Sequence, residues 1–262
     1  MAYRELAPPG PRAPHVACLW IRDAEPRPRV HRVVPDACAD LVWVAGERLV
    51  VAGPATGPAL SHIPAGAAAV GVRFRVGAAG GALGLPASEL LDRTVGLEDL
   101  WGAPGAELAE RLATAPDARA GLAVLAAEVA RRGSERGAID AVVRAAAVRA
   151  ARPGVAVEAL GAVVGLGERQ LRRRFADAVG YGPKTLQRIL RFQRFLALAQ
   201  RDGDLASVAF AAGYADQAHL TRESRRLAGL PPAALLRSGA GPAGERSDSF
   251  KTPFTAPATM AA

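Results

Sequence analysis

Val157-Glu158-Ala159-Leu160-Gly161-Ala162-Val163-Val164-Gly165-Leu166-Gly167-Glu168-Arg169-Gln170-Leu171-Arg172-Arg173-Arg174-Phe175 reads as two short helices broken by a glycine turn. Leu160, Val163 and Val164 make one apolar face at helical spacing, and Gly165 ends that helix because the reversal needs a left-handed residue. Gly167 takes the N-cap of the next helix, where glycine is tolerated. There Leu171 and Phe175 lie four apart and face inward, while Arg169, Arg172 and Arg173 share the outer face. A short helix behind a tight turn, with guanidinium groups outward, suits insertion into a DNA major groove. Arginine pairs bidentately with guanine O6 and N7, or grips phosphates. The competing reading is a solvated arginine face on a bundle helix.

Working outward, the same layout returns at Leu205-Ala206-Ser207-Val208-Ala209-Phe210-Ala211-Ala212-Gly213-Tyr214-Ala215-Asp216-Gln217-Ala218-His219-Leu220-Thr221-Arg222. Leu205, Val208 and Ala209 form the buried face, Gly213 makes the turn, and Asp216 is a good N-cap. Leu220 corresponds in place to Leu171. Gln217, Thr221 and Arg222 sit outside with His219 beside them, and Gln and Arg suit adenine and guanine edges. As an alternative, His219 is a capping or buried histidine. Between the units the run from Pro183 and Lys184 to Arg201 carries Ile189, Leu190, Phe192, Phe195, Leu196 and Leu198. About eighteen residues at 1.5 Å each give roughly 27 Å of helix. Such a spacer holds two recognition helices about one DNA turn, roughly 34 Å, apart.

The charge distribution points to the same region. The chain has 262 residues and a formal net charge of +8. Residues 1–100 carry 10 Lys/Arg and 10 Asp/Glu, whereas residues 156–237 carry 13 and 7. The excess therefore sits where the two helix pairs are, the footprint of a polyanion-binding domain. An arginine-rich genome composition offers a blander account of the charge alone. No stretch of eighteen apolar residues lacks a charge or a Gly/Pro break, which argues against a membrane span. Met1 to Pro14 does not resemble a signal peptide. Cys18 and Cys38 suggest no disulfide framework and fit reduced thiols in a cytoplasmic protein.

Residues 15–76 are different in character. Short alternating runs at 40–44, 48–52 and 69–74, separated by closely spaced turn residues, predict strands of a small β-barrel or sandwich. From Pro86 the pattern turns helical, with helices expected over 104–112, 118–131 and 139–150, and Arg152-Pro153-Gly154 as a stop. This predicts an α+β chain: a β-rich domain over 1–102 with trailing helices over 103–154, an all-α domain over 155–237, and a disordered tail over 238–262. His15, His31 and His62 with Asp36 and Asp40 are weighed as metal ligands, but lack tight H-x-H spacing. Asp36 and Asp40 read instead as turn residues. Arg73 and Arg75, neighbours on one strand face, suit either a bound carboxylate or phosphate, or plain solvation. No nucleophile elbow, phosphate loop or zinc-hydrolase motif occurs, so no enzyme, cofactor or metal is expected.

Residues 155–237 resemble the DNA-binding domain of the AraC/XylS family of transcription regulators. The resemblance rests on Val164-Gly165-Leu166, Arg169 to Phe175, Val179-Gly180-Tyr181-Gly182-Pro183-Lys184, Leu190-Arg191-Phe192, Ala212 to Arg222 and Gly229-Leu230-Pro231-Pro232. It implies DNA contacts from Arg169, Gln170, Arg172, Arg173, Arg174 and Lys184 in the first half, and from Gln217, Ala218, His219, Thr221 and Arg222 in the second. One departure stands out. Ser224 occupies a place where the family usually has a Phe, and each lost methylene equivalent there costs about 0.8 kcal/mol. Residues 1–102 resemble the β-rich, cupin-like sensor domain found before this DNA-binding domain in many actinobacterial regulators. The motifs are Val34 to Trp43, Gly53 to Pro58, Val70 to Gly77, Pro86 to Leu90 and Leu97 to Gly102. The implied partners are double-stranded promoter DNA, with a small-molecule effector, RNA polymerase and a second copy of the chain as further candidates. The alternative from another class is a DNA-binding protein whose N-terminal domain is an enzyme, with Cys38 as nucleophile, or a metal-binding module.

Overall fold

The computed structural model describes residues 3–8, 13–136, 139–200 and 204–238. The expected tail over 238–262 lies, apart from Ser238, outside the described residues. The chain opens with β1 (Tyr3–Leu6), β2 (Val16–Arg22), β3 (Arg29–Val33), β4 (Asp40–Val44), β5 (Arg48–Ala52), β6 (Ala59–Ile63) and β7 (Ala69–Phe74). Helix α1 (Ala79–Leu83), a 3-10 turn over Ala87–Leu90, and β8 (Thr94–Gly96) follow. The runs read from sequence at 40–44, 48–52 and 69–74 are β4, β5 and β7, because β-branched residues alternating across a pleat can bury one face at a time.

Among the described residues the strands do not close into a barrel. Six of them form one open antiparallel sheet in the order β1-β2-β7-β4-β5-β8, and β3 pairs with β6 in a separate two-stranded ribbon. Closure is replaced by helices: α2 (Leu97–Trp101), α3 (Ala103–Ala113) and α4 (Ala118–Arg136) follow the sheet. Leu41, Val51, Val70, Val72 and Phe74 of the sheet share one core with Leu108 and Leu112 of α3 and Leu122, Leu125 and Val129 of α4. Helix α4 comes close enough to the sheet that a Cβ at Gly121 would stand 2.4 Å from the Trp43 ring, so only glycine fits.

The C-terminal region is α-helical: α5 (Ala141–Ala150), α6 (Val157–Val164), α7 (Glu168–Val179), α8 (Pro183–Leu198), α9 (Leu205–Ala212), α10 (Gln217–Ala228) and α11 (Pro232–Arg237). Phe175, Leu186, Ile189, Phe192, Phe195, Tyr214, Leu220 and Leu235 form its buried centre. The turn at 151–154 interrupts the helices without dividing the cores. Val143, Ala146, Ala147 and Ala150 of α5 sit in this same core. So do Val34, Ala37, Cys38 and Val76 from the β-rich half. Hydrogen bonds between described residues also cross this junction. The buried Gln193 amide donates to the Pro35 carbonyl, and Arg32 Nη1 donates to the Ala228 carbonyl at 3.1 Å.

Candidate nucleic-acid interface

Helices α6 and α9 are closed by the same device. Gly165 (φ 68°) and Gly213 (φ 94°) are left-handed C-caps. The next residue of each then donates back five positions: Leu166 N–H to the Gly161 carbonyl, and Tyr214 N–H to the Ala209 carbonyl, both at 3.0 Å. This motif satisfies carbonyls the helix end would otherwise leave open, and a side chain with a Cβ is strained at the cap. The second helix of each unit starts almost at once. Gly167 caps α7 with no side-chain bond, whereas Asp216 caps α10 by accepting the His219 N–H at 2.6 Å. The second turn is one residue longer, Gly213 to Asp216 against Gly165 to Gly167.

Inward faces fix α7 and α10. Leu171 and Phe175 of α7 are buried, as are Leu220 and Ser224 of α10. Phe175 and Ser224 hold corresponding places four residues after those leucines. The serine is fully buried, and its Oγ donates to the Leu230 carbonyl at 2.7 Å, so the missing ring is answered by a satisfied hydroxyl. Arg188 of α8 grips Glu223 of α10 through Nε at 3.0 Å and Nη2 at 3.2 Å, a bidentate pair that sets the rotation of α10. Arg194 Nη2 donates to the Ala151 carbonyl at 2.7 Å.

The outward faces carry the charge. Arg169, Gln170, Arg172, Arg173 and Lys184 are exposed, and Arg172 has only a loose 3.8 Å pairing with Glu168. On α10, Gln217, Ala218 and Arg222 are exposed. Three residues of the sequence-based set are placed differently. Arg174 is exposed but leans toward Asp140, the N-cap of α5, at 3.6 Å. His219 is half-buried and meets the Tyr214 ring edge-on at 5.1 Å, and Thr221 Oγ1 donates to the Gln217 carbonyl at 2.8 Å. Arg225 and Arg226, which the sequence reading passed over, are exposed one turn beyond Arg222. The signal was the same three- and four-residue spacing that singled out Arg222. Val163, expected on the buried face of α6, is 58% exposed.

The N-terminal candidates are engaged within the chain. Asp40 is the first residue of β4 rather than a turn residue. It accepts from Arg73 Nε at 3.2 Å and from Trp20 Nε1 at 2.7 Å. Asp36 and Glu5 each approach the same guanidinium at 3.5 Å, so the carboxylates that Arg73 holds are the protein's own. Asp36 also makes the turn expected of it, accepting the Cys38 N–H at 3.0 Å. Arg75 Nε donates to the Pro14 carbonyl. Burial pushes the Cys18 thiol up to about 12 and Cys38 well above its ordinary value, and it pushes His31 down to about 4 with Arg22 and Arg29 assisting. Both cysteines are free thiols. Among the described residues no group of three or more His, Cys, Asp or Glu is placed to hold a metal ion, and no helix is long and apolar enough to cross a membrane.

Comparison with known families agrees with this geometry. Residues 160–238 match the family model described as a helix-turn-helix domain, and residues 4–96 match one described as a domain of unknown function (DUF6597). No curated protein matches the chain. Among solved structures, the apo form of a point variant of ToxT from Vibrio cholerae strain SCE256 aligns with TM-score 0.43 and 10% identity, over 84% of this chain and 96% of that one. ToxT from Vibrio cholerae O395 aligns with TM-score 0.42 and 9% identity, over 80% and 96%. The C-terminal region is thus a helix-turn-helix domain of the AraC type. The chain is a DNA-binding transcription regulator.

Proposed function

We propose that this regulator is sequence-specific and reads two successive major-groove segments, one with α7 and one with α10. The observation that carries the reading is the duplication itself. Two helix pairs of equal length, their first helices closed by the same left-handed glycine cap, hold exposed guanidinium groups outward from one shared core. Arg169, Arg172 and Arg173 with Gln170 address the first segment, and Gln217, Ala218 and Arg222 the second. Ala218 offers only a methyl, which suits a thymine methyl. Lys184, Arg225 and Arg226 grip phosphates and make affinity salt-dependent. Arg174, His219 and Thr221 serve as positioning residues.

The β-rich half, through residues 1–102, acts in this reading as a sensor or dimerisation domain in a cytoplasmic protein. Its contact with the DNA-binding half at Pro35 and Arg32 offers a route for an effector signal. RNA polymerase and a second copy of the chain are its further candidate partners. We assign it no thiol nucleophile, because burial raises both thiols well above their ordinary range.

Fluorescence anisotropy on fragments from upstream of the protein's own and neighbouring genes, across a salt series with random DNA as control, tests the proposal. Tight, fragment-selective binding with a steep salt slope is expected. Equal weak binding to every fragment would reduce the two units to a basic surface.

A further inference from the structure

Helix α5 has two faces of unlike chemistry. One is buried in the C-terminal core through Val143, Ala146, Ala147 and Ala150. On the other, at spacings of one, three and four, stand Arg144, Ala145, Val148, Arg149 and Arg152, all exposed. Outer helix faces ordinarily carry charged and polar groups. This one carries aliphatic groups and guanidinium groups with no carboxylate between them.

That face is one wall of an open surface groove of about 430 Å3. Val163 of α6, 58% exposed, reaches in from the other side, beside Val148 at 39%. The volume lies within the roughly 300–1,000 Å3 of small-molecule sites, which pair an apolar lining with a few polar anchors. The three arginines have no side-chain hydrogen bond or ion pair with any described residue. Arg149 gains something from the carbonyl end of α5, where cations are favoured, but Arg144 lies in mid-helix. The carboxylate at the start of the helix, Asp140, pairs with Arg174 instead. Burial and then Arg144 lower the pKa of Arg75 across the junction. An anion would relieve the charge, and a hydrocarbon body would cover Val148 and Val163.

We propose that the groove between α5 and α6 binds an organic anion with an apolar body, an aliphatic or aromatic carboxylate. Its charge is held by Arg144, Arg149 and Arg152 at the rim and its hydrocarbon lies on Val148 and Val163. Because α6 is the first helix of the first DNA-reading unit, a ligand seated here bridges that unit to α5.

Isothermal titration calorimetry of the full chain with sodium octanoate and sodium benzoate, and with benzyl alcohol as a neutral control, tests the site without DNA. It therefore fails or succeeds separately from the DNA-reading proposal. Saturable binding of at least one carboxylate and none of the alcohol is expected. The double variant Arg149→Gln/Arg152→Gln should bind roughly tenfold more weakly, as the loss of charge-assisted hydrogen bonds requires. Val163→Asp should weaken binding to a similar degree. All these positions are exposed, so the variants should melt as the wild type does. No saturable binding of either carboxylate overturns the proposal, as does equal binding by wild type and both variants. A double variant that loses only affinity for random DNA and part of the salt slope, in a protein that binds no carboxylate, also overturns it and makes these arginines phosphate contacts.

Discussion

The two helix-turn-helix units share a backbone design but not the chemistry that holds it. The first is packed: Phe175 fills its centre, and neither α6, capped by Ala156, nor α7, capped by Gly167, has a side-chain cap. The second is tied by polar bonds. Asp204 caps α9, Asp216 caps α10, Ser224 bonds to Leu230, and Arg188 clamps Glu223. A turn geometry is therefore not tied to one kind of core. What both units keep is the left-handed glycine with its six-residue closing bond, since glycine takes that dihedral without the strain a Cβ brings.

Swapping the two chemistries is the severest test. Phe175→Ser should destabilise the protein by about 3–5 kcal/mol in a denaturant titration, because the ring leaves a cavity and the hydroxyl has no prepared acceptor. Ser224→Ala should cost only about 1 kcal/mol, one hydrogen bond. Similar losses for the two variants would mean that the second unit depends on Ser224 as much as the first does on its ring.

DNA binding sharpens the comparison next. Arg173→Ala and Arg222→Ala should each cost about 1–3 kcal/mol on a specific site, with loss of preference at different bases. Equal losses on specific and random DNA would leave both residues as phosphate contacts. A cost confined to Arg173 would make the first unit the sole reader.

Smaller effects follow from the caps. Asp216→Ala should remove about 1 kcal/mol, while Gly167→Ser should add a few tenths by giving α7 the side-chain cap it lacks. Acid should separate the units in the same sense. Hydrogen bonds from the Ser207 side chain and then from the Ser207 and Ala206 N–H groups hold the Asp204 carboxyl below its ordinary 3.8. A lowered folded value stabilises above the unfolded one and is lost as pH falls through it. Hydrogen exchange followed as pH falls through that value should thus show α9 losing more protection than α6, and equal losses in the two would remove the caps from the explanation.

Local pattern made much of this legible. Three strands appear at their expected residues, as do both glycine turns and the Asp216 cap, because each is decided by a few consecutive side chains. What escaped depends on distant partners. The ribbon pairs Val30 with His62, and nothing in either run tells that β3 and β6 leave the main sheet to each other. Both Asp36 and Asp40 read as turn residues, yet Asp40 belongs to Arg73, thirty-three residues away. Arg174 stood in an arginine run, and only Asp140 on another helix draws it aside. Val163 fitted a helical stripe, but a stripe does not say which part of it the neighbour covers.

The shared core at the junction bears on how such regulators can be recombined. A chimera spliced at residue 154 would leave Val143, Ala146, Ala147 and Ala150 with the donor of the front half, and strip the back half of the wall they form. It would also part Gln193 from the Pro35 carbonyl it reaches. A graft that starts before Asp140 and brings a matching 34–38 segment keeps both. The portable cassette in this protein is thus larger than its DNA-reading helices.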